Sequence, residues 1–325
     1  MPTRRRFWCA TLGTPLLALS CSLAHAWTDK PVTMLVPAPA GGSMDVMARI
    51  LADQLSQELG KAVVVDNKPG AGGAIAANAL KSAAADGQTV MFTANNILTE
   101  IPHVMRTSFK PLSDVKPVAA VAKTGMVMVA APTLEPKTLK GFISYAKTHA
   151  GQLSFASYSS GTSSHYAGMI FNQKAGLDLQ HIPFAGSPPA LSQVMGGQIA
   201  IMFDGIVTSR AMITAGKLQA YGVASKTRSP LLPDVPTLSE QGFADLNFSN
   251  WLGVVVASSV PADTVERMHA TLTKAATAAK VRERMQQAGY EPVPSQTPKE
   301  LGQSLQQDYE RNAAIVKAFH IQLNP

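Results

Sequence analysis

Short apolar runs alternate along the chain with segments in which apolar residues recur every three or four positions. The run Val32–Val36 predicts a buried strand, and Ser43–Leu59 predicts a helix with Met47, Leu51 and Leu55 on one face. The same alternation predicts further strands at residues 61–67, 89–93, 118–122, 126–131, 153–157, 179–184, 199–203, 218–224 and 251–258. It predicts further helices at residues 74–84, 139–148, 163–174, 188–195, 207–215, 262–279 and 281–288, and a last helix that begins at the capping box of Thr297 and Glu300.

Repeated strand–helix alternation is typical of sheets with helices on both faces, which bind ligands beyond the carboxyl ends of their strands. Two such blocks, near residues 30–125 and 150–225, are followed by one more strand and a helical tail. A tail that returns to the first block gives two lobes with a cleft between them. We therefore predict an α/β, two-lobed fold in which each lobe is a mainly parallel sheet flanked by helices. The predicted lobes are residues 27–127 with 250–325, and residues 128–249.

The first 26 residues have the features of a cleaved signal peptide. Three arginines at 4–6 precede a broken apolar stretch, and Ala-His-Ala at 24–26 is a small-x-small cleavage site. Its removal lowers the net charge from +7 to +4, because the three arginines are lost, and takes away both cysteines, Cys9 and Cys21. The mature chain is then expected in the periplasm, without a thiol, disulfide or Cys-based metal site. Its mild basicity, without a Lys/Arg stripe, predicts no nucleic-acid partner.

The segment VPAPAGGSMD, residues 36–45, joins the first predicted strand to the first predicted helix. Gly41 and Gly42 let another group approach the backbone closely, and Ser43 stands at the helix start. Unpaired amides at a helix start carry a partial positive charge, which suits a carboxylate or a phosphate. The same residues also fit a tight turn before a capped helix, and Asp45 fits either a ligand contact or the helix dipole.

The segment SSGTSS, residues 159–164, joins a strand to a helix in the second block and is rich in hydroxyl groups. Ser160, Gly161, Thr162 and Ser163 give it a second set of donors for an anion at a helix start. One such turn is routine, whereas two of them in separate blocks indicate the two sides of a clamp. We therefore expect the two turns to face each other across the cleft.

Polar residues follow other predicted strands as well. Asn95, the first of two adjacent asparagines, is either a loop former or a ligand donor. Gly186 and Ser187 open another helix, and Asp204 follows the apolar run 199–203. Asp204 fits a cap of the next helix and also a contact to a polar ligand group.

Catalysis and nucleotide binding have little support in the sequence. Ser164, His165 and Asp204 supply the residue types of a hydrolase triad, but the chain has no G-x-S-x-G motif. The glycines at 70 and 72 lack the third glycine of a dinucleotide-binding loop. The histidines have no metal-binding spacing, so we predict no metal site.

These stretches, in this order, resemble the Bug family, the extracytoplasmic solute receptors of tripartite tricarboxylate transporters. The matching segments include KPVTMLVPAPAGGSMDVMAR, VVVDNKPGAGGAIAANAL, QLSFASYSSGTSSHYAGMIF, HIPFAGSPPAL and AGKLQAYGVASKTRSPLLPDVPTLSEQG, and the resemblance covers essentially the whole mature chain. It implies a periplasmic receptor of the Venus-flytrap kind, type II, which is not an enzyme, uses no cofactor and binds a small carboxylate in its cleft. The positions that it implies for ligand binding are Gly41, Gly42, Ser43 and Asp45 on one side, and Ser160, Gly161, Thr162, Ser163, His165 and Asp204 on the other.

The chain departs from this family at three places that bear on the ligand. Many relatives have Tyr-Lys where this chain has Phe184-Ala185, so a hydroxyl and an ammonium are missing. Asn95-Asn96 stands where relatives often carry small residues, and Ile101-Pro102 replaces their usual Asn-Pro. If these positions face the cleft, the pocket is less cationic and more apolar. The resulting hypothesis is a ligand with one carboxylate and a substantial apolar or aromatic body.

The sequence thus predicts a monomeric periplasmic receptor that captures a small organic carboxylate, with an aromatic or a dicarboxylic acid as the candidates. The receptor then delivers this acid to the permease subunits of a tripartite tricarboxylate-type transporter. A ligand-sensing receptor of a signalling system needs the same clamp and stays open as an alternative. An exported Ser/His hydrolase is a third interpretation, and it predicts a buried Ser–His pair within hydrogen-bond reach.

Overall fold

The computed structural model describes residues 27–105 and 108–319, so the predicted signal peptide at residues 1–26 lies outside the described residues. The strands are β1 Val32–Val36, β2 Val63–Asn67, β3 Thr89–Ala94, β4 Val115–Ala130, β5 Ser154–Ser157, β6 Gln180–Pro183, β7 Ile201–Gly205, β8 Gln219–Val223, β9 Ser249–Ala257 and β10 Glu291–Pro292. The helices are α1 Ser43–Leu59, α2 Ala74–Lys81, α3 Asn95–Thr99, α4 Pro111–Asp114, α5 Leu139–Thr148, α6 Ser163–Ala175, α7 Ser187–Met195, α8 Ile206–Thr214, α9 Ala262–Thr277, α10 Ala279–Ala288 and α11 Pro298–Ala318. Across these described ranges, no helix is long and apolar enough to cross a membrane.

The predicted alternation of strands and helices is present, with two differences. The apolar runs at 118–122 and 126–131 belong to one 16-residue strand, β4, because backbone pairing with β9 continues through the polar residues between them. The second difference is helix α3, which begins directly after β3 where the pattern indicated only a loop former or a ligand donor. All five side chains of α3 are buried, so packing stabilises a helix too short to carry a periodic signal.

Strand β4 connects two sheets, and the strand order through it is β2-β1-β3-β9-β4-β7-β5-β6. Its first part, residues 115–125, pairs antiparallel with β9, and its last part, residues 126–130, pairs antiparallel with β7 and β8. The outer strands are parallel: β1 pairs with β2 and β3, and β5 pairs with β6 and β7. The sheets are therefore mixed, because β9 runs against β3 and β4 in the first sheet and β4 runs against β7 and β8 in the second.

Each sheet is covered by helices and has its own apolar core. We call the first lobe the sheet of β1, β2, β3 and β9 with its helices, and the second lobe the sheet of β5, β6, β7 and β8 with its helices. Buried side chains of the first-lobe core include Leu51, Phe92 and Met268. The second lobe has one apolar cluster around Phe171 and another around Met202.

Helix α11 contacts both lobes. Its capping box is formed as predicted, since the Thr297 hydroxyl accepts from the Glu300 amide and the Glu300 carboxylate accepts from the Thr297 amide. Leu305 is buried in the first-lobe core, while Ile315 packs against the second-lobe cluster around Phe171. The tail thus returns to the first lobe and also reaches the second.

Candidate ligand-binding site

A cavity of about 340 Å³ lies between the two lobes, where loops follow the carboxyl ends of strands from both sheets. Its wall contains residues after β1, before α2 and after β3 from the first lobe, and residues after β5, β6 and β7 from the second. Of the predicted site residues, the wall contains Gly42, Ser43, Ser160, Thr162, Gly186 and Ser187. The two predicted turns therefore face the same space from opposite lobes.

Five helices of eight residues or more begin at this cavity, and none of the described residues in its wall carries a charge. These helices are α1, α2, α6, α7 and α8, and no side chain caps them. Their N-cap residues all lie in the wall and are, in the same order, Gly42, Gly73, Thr162, Gly186 and Gly205. Each helix start carries a partial positive charge from its amides. These helix starts thus direct the partial positive charge of their amides at the cavity, without a cationic side chain among the described wall residues.

The first-lobe turn presents Gly42 and Ser43 to the cavity and turns Asp45 away from it. The Asp45 carboxylate accepts from the Gly41 amide at 2.9 Å and from the Asn67 amide at 2.9 Å, and it lies 3.0 Å from the Arg49 guanidinium. Burial raises the pKa of Asp45, but these hydrogen bonds outweigh it and hold that pKa below its ordinary value. Asp45 and Gly41 lie outside the cavity wall and fix the shape of the turn.

The second-lobe turn presents Ser160 and Thr162 to the cavity, while Gly161 and His165 lie behind it. Gly161 has a φ of 73°, and its amide donates to Nδ1 of His165 at 3.1 Å. Burial lowers the pKa of His165 to about 4, so the imidazole is neutral and can accept this hydrogen bond. His165 also stacks on His181, with ring centroids 3.9 Å apart.

Helix α6 begins with Ser163, which binds a carboxyl group from the other lobe. The Ser163 Oγ lies 2.7 and 2.9 Å from the two carboxyl oxygens of Glu100, and the Asn250 amide donates to that Oγ at 2.9 Å. The Tyr166 hydroxyl donates to the Glu100 carbonyl oxygen at 2.8 Å. Burial raises the pKa of Glu100 to about 8 against the opposing effect of Ser163. Ser163 therefore serves an internal contact between the lobes and does not line the cavity.

The carboxyl group of Asp204 also forms hydrogen bonds only within the second lobe, among the described residues. Its carboxylate accepts from Ser187 at 2.6 Å, from Ser209 at 2.7 Å and from Thr208. Burial raises the pKa of Asp204, and these three hydroxyl groups partly offset that effect. Asp204 lies outside the wall and holds Ser187, which is in it.

The adjacent asparagines of α3 point in different directions. Asn95 donates to the Asp308 carboxylate of α11 at 3.0 Å and does not line the cavity. Asn96 does line it, and its Nδ2 donates to the Tyr158 hydroxyl of the other lobe at 3.5 Å. The residue in the wall is thus the neighbour of the predicted one, because the helix turns successive side chains by about 100°.

The sequence pattern does not indicate that much of the apolar wall lines a cavity. Met44, Ile97, Met105 and Leu252 line the cavity and come from four separate segments. Phe184 and Ala185 are the apolar wall residues that the sequence does mark, because they depart from related sequences. Met44, Ile97, Met105 and Leu252 resemble core residues in the sequence. Apolar side chains that line a cavity and those that fill a core recur with the same spacing along a helix or strand.

The residue types of a hydrolase triad do not come together. The Ser164 hydroxyl donates to the Phe203 carbonyl oxygen at 2.5 Å, while Nδ1 of His165 accepts from Gly161. A partly buried Ser–His pair does exist elsewhere, with Oγ of Ser157 2.7 Å from Nε2 of His181. Ser157 lies outside the described cavity wall, and no carboxylate within the described ranges hydrogen-bonds to His181. The geometry therefore gives the hydrolase interpretation no support.

The family model of the tripartite tricarboxylate transporter family receptor matches residues 47–321. This chain belongs to that family. The protein BugT of Bordetella pertussis is 31% identical over 296 residues, which are 90% of each chain. The resemblance to the Bug family is thereby confirmed.

Two solved structures of similar proteins place this family member among periplasmic solute-binding proteins. The structure of the periplasmic binding protein BugD is 30% identical with a TM-score of 0.86, over 91% of this chain and all of that one. MatC from Rhodopseudomonas palustris, with bound malate, is 29% identical with a TM-score of 0.83, over 88% of this chain and 99% of that one. The predicted two-lobed fold class is confirmed, and the protein is a solute-binding receptor of the tripartite tricarboxylate transporter family.

Proposed function

We propose that this protein is a periplasmic receptor that captures a small organic carboxylate and delivers it to the membrane subunits of a tripartite tricarboxylate-type transporter. The observation that carries this proposal is the convergence of five helix starts on one cavity without a charged wall residue in the described chain. Helix amides stabilise a carboxylate without a formal counter-charge, and a closed cleft strengthens that interaction because it excludes water. The malate bound by MatC supports an organic acid as the ligand class.

The ligand contacts in this proposal come from the wall residues of both predicted turns. Ser43 in the first lobe and Ser160 in the second lie in the wall, and their hydroxyls have no hydrogen-bond partner within the described ranges. Both are therefore free to bind a carboxylate oxygen. Six of the predicted residues outside the wall act from behind by holding the loops and helix starts around it, namely Gly41, Asp45, Gly161, Ser163, His165 and Asp204. Asn95 instead holds α3 against α11 and has no role in binding.

The rest of the wall favours a ligand with one carboxylate and an apolar body. Met44, Ile97, Met105 and Phe184 give the cavity a broad apolar surface. A second or third carboxylate buried there would need a cation or several more donors, because an unpaired buried charge costs several kcal/mol. A volume of about 340 Å³ is sufficient for an aromatic or medium-length aliphatic acid.

Calorimetric titration of the purified receptor tests the ligand class. Benzoate, phenylacetate and hexanoate represent acids with one carboxylate and an apolar body, and citrate represents the tricarboxylates. We expect at least one of the first group to bind with a Kd near or below the micromolar range, and citrate to bind at least about a hundredfold more weakly. Tight citrate binding without a response to the monocarboxylates would contradict this ligand class and leave the receptor function standing.

Delivery to a permease is tested by uptake of a labelled acid that binds the receptor. Cells that lack this chain, and cells that lack the transporter's membrane subunits, should both lose uptake. Uptake that persists without the membrane subunits, together with loss of an acid-dependent transcriptional response when the receptor is removed, would favour the signalling alternative.

The proposal includes export to the periplasm, a monomeric receptor and the predicted lobe boundaries. Intact-mass measurement of the periplasmic protein should give a chain that begins at Trp27, and light scattering should give the mass of one such chain. A cytoplasmic protein that retains residues 1–26 would contradict the assigned location. Crystal structures with the cleft open and closed should place the hinges near residues 127–128 and 249–250.

A further inference from the structure

The side chain of Asn96 is a polar group at the cavity that the protein does not satisfy. Only 2% of its surface is exposed, and it belongs to the cavity wall. Its Nδ2 donates to the Tyr158 hydroxyl at 3.5 Å, while its Oδ1 is buried without a hydrogen-bond partner. Buried amide oxygens are nearly always paired in folded proteins, so an orphan at a ligand cavity indicates a partner brought by the ligand.

Ser43 and Ser160 are assigned to the carboxylate of the ligand, and three further polar side chains of the wall are committed to contacts within the protein. Ser187 donates to Asp204, Thr162 donates to the Ser159 carbonyl oxygen at 2.7 Å, and Asn250 donates to Ser163. None of these groups has a donor directed at Asn96. The hydrogen bond that Oδ1 lacks is therefore left to a group on the ligand.

The electrostatic surroundings restrict which donor this is. Five helix starts direct partial positive charge at the cavity, and the described wall residues include no carboxylate that would pair with an ammonium group. A cationic donor is disfavoured there, whereas a neutral hydroxyl bears no such penalty. A hydroxyl also needs little space beside the apolar body of the ligand.

We propose that Asn96 determines specificity by accepting a hydrogen bond from a hydroxyl group, so that the preferred ligand is a hydroxylated acid with an apolar body. This inference rests on the proposed function, since it assumes that the same cavity binds an organic acid. Asn96 recognises the hydroxyl, while the helix starts and Ser43 and Ser160 recognise the carboxylate.

Pairs of acids that differ by one hydroxyl test this inference. The probes are benzoate against 3-hydroxybenzoate and 4-hydroxybenzoate, and phenylacetate against mandelate, each titrated calorimetrically into the wild-type receptor. We expect the hydroxylated member of at least one pair to bind roughly tenfold tighter, because the analogue leaves the buried Oδ1 unpaired. Asn96→Ala and Asn96→Leu should each reduce that preference to about twofold or less, with Leu favouring the acid without the hydroxyl.

Asn95→Ala is the matched control, because it removes an amide from the same helix on the side that faces α11. It should lower the Tm and keep the hydroxyl preference. Acids that bind without a hydroxyl preference, or a preference that survives both Asn96 variants, would overturn this inference and leave the carboxylate receptor intact. Failure of every acid to bind would overturn the proposed function and this inference together.

Discussion

At the scale of single residues, some serine hydroxyl groups near the cavity bind other residues of the protein, and others are free to bind a ligand. Ser163 and Ser187 are committed to buried carboxyl groups, Glu100 and Asp204, at distances of 2.6 to 2.9 Å. Ser43 and Ser160, one in each lobe, line the cavity instead. Neighbouring serines in one sequence motif therefore have different roles, which are set by what lies opposite each hydroxyl.

Ser43→Ala and Ser160→Ala should each weaken binding of the preferred acid about five- to tenfold, because each removes one hydrogen bond to a charged group. Neither hydroxyl has an internal partner among the described residues, so the Tm should change by less than about 2 °C. Calorimetry and thermal unfolding measure the two effects. Ser192→Ala, at an exposed position of α7, is the control and should leave both values unchanged. Full affinity in both cavity variants would exclude these hydroxyls from the site.

Glu100→Gln should change how stability depends on pH. Burial raises the pKa of Glu100 from 4.5 to about 8 in the folded chain, so its protonated form stabilises the fold fully below about pH 4.5. That contribution is lost as the pH rises through about 8. The neighbouring charges act in opposite directions, since Arg311 lowers this pKa and Asp308 raises it. The Tm of Glu100→Gln relative to wild type should therefore rise between pH 5 and pH 9.

The exposed Glu266→Gln is the matched control for this measurement and should keep a constant Tm difference from wild type. A Glu100→Gln curve parallel to that of wild type would show that the carboxyl does not titrate in this range.

At the scale of secondary structure, the site is made by where helices begin. Glycine stands at the N-cap of α1, α2, α7 and α8, so no side chain occupies the amides that a ligand would use. Internal carboxyl groups nevertheless lie at three of the five starts, since Glu100 reaches the first residue of α6 and Asp204 binds hydroxyl groups in the first turns of α7 and α8. An external anion therefore shares these three starts with carboxyl groups of the protein.

Gly42→Leu should abolish binding and leave the fold intact. Gly42 has a φ of −71°, which any residue adopts, and an added Cβ lies 3.3 Å from the Pro39 carbonyl oxygen, so the loop must shift by a few tenths of an ångström. A leucine at this helix start projects into the cavity and covers the α1 amides, at a cost to stability of about 1 kcal/mol for the poorer cap. Thermal unfolding and calorimetry check the two outcomes. Ala40→Leu, exposed in the same loop and outside the wall, should bind normally. Binding by Gly42→Leu at wild-type affinity would place the ligand elsewhere.

At the scale of the whole molecule, the two lobes meet at loops that close the cavity. Gly186 of the second lobe lies against Pro39 of the first, so that a Cβ at 186 would be 2.3 Å from Cγ of Pro39. Glu100 with Ser163, and Asn96 with Tyr158, add polar contacts between the lobes. The closed arrangement is therefore held by a few contacts around the ligand space, as in hinge-type binding proteins.

Gly186→Ala should keep the lobes apart and lower affinity by about tenfold or more. The Cβ meets Pro39, and the φ of 117° is one that L residues rarely adopt. Small-angle scattering should show a larger radius of gyration in the presence of the ligand than for wild type. Gly242→Ala is the control, because its φ of 91° is also one that L residues rarely adopt and no atom lies within 4 Å of the new Cβ. A closed, tightly binding Gly186→Ala would contradict this role for the loop contact.

The sequence by itself determined which segments are strands and helices and where the turns between them lie. Strand β1 and helix α1 have the predicted bounds, and the Thr297 capping box is formed. These features depend on residues close in the chain, whose spacing and backbone preferences act before any long-range contact exists. For the same reason the sequence also located both turns that face the cavity.

Only the tertiary structure decided which side chains of those turns are free to bind. Asp45 and Asp204 look like ligand contacts in the sequence, but Arg49, Ser187 and their other partners already occupy them. Glu100 fills the start of α6 from 63 positions away, and Asn96 rather than its neighbour faces the cavity. Whether a polar side chain already has a hydrogen-bond partner depends on residues far away in the chain. The spacing of residues along the sequence does not show which of them come within hydrogen-bond distance in the fold.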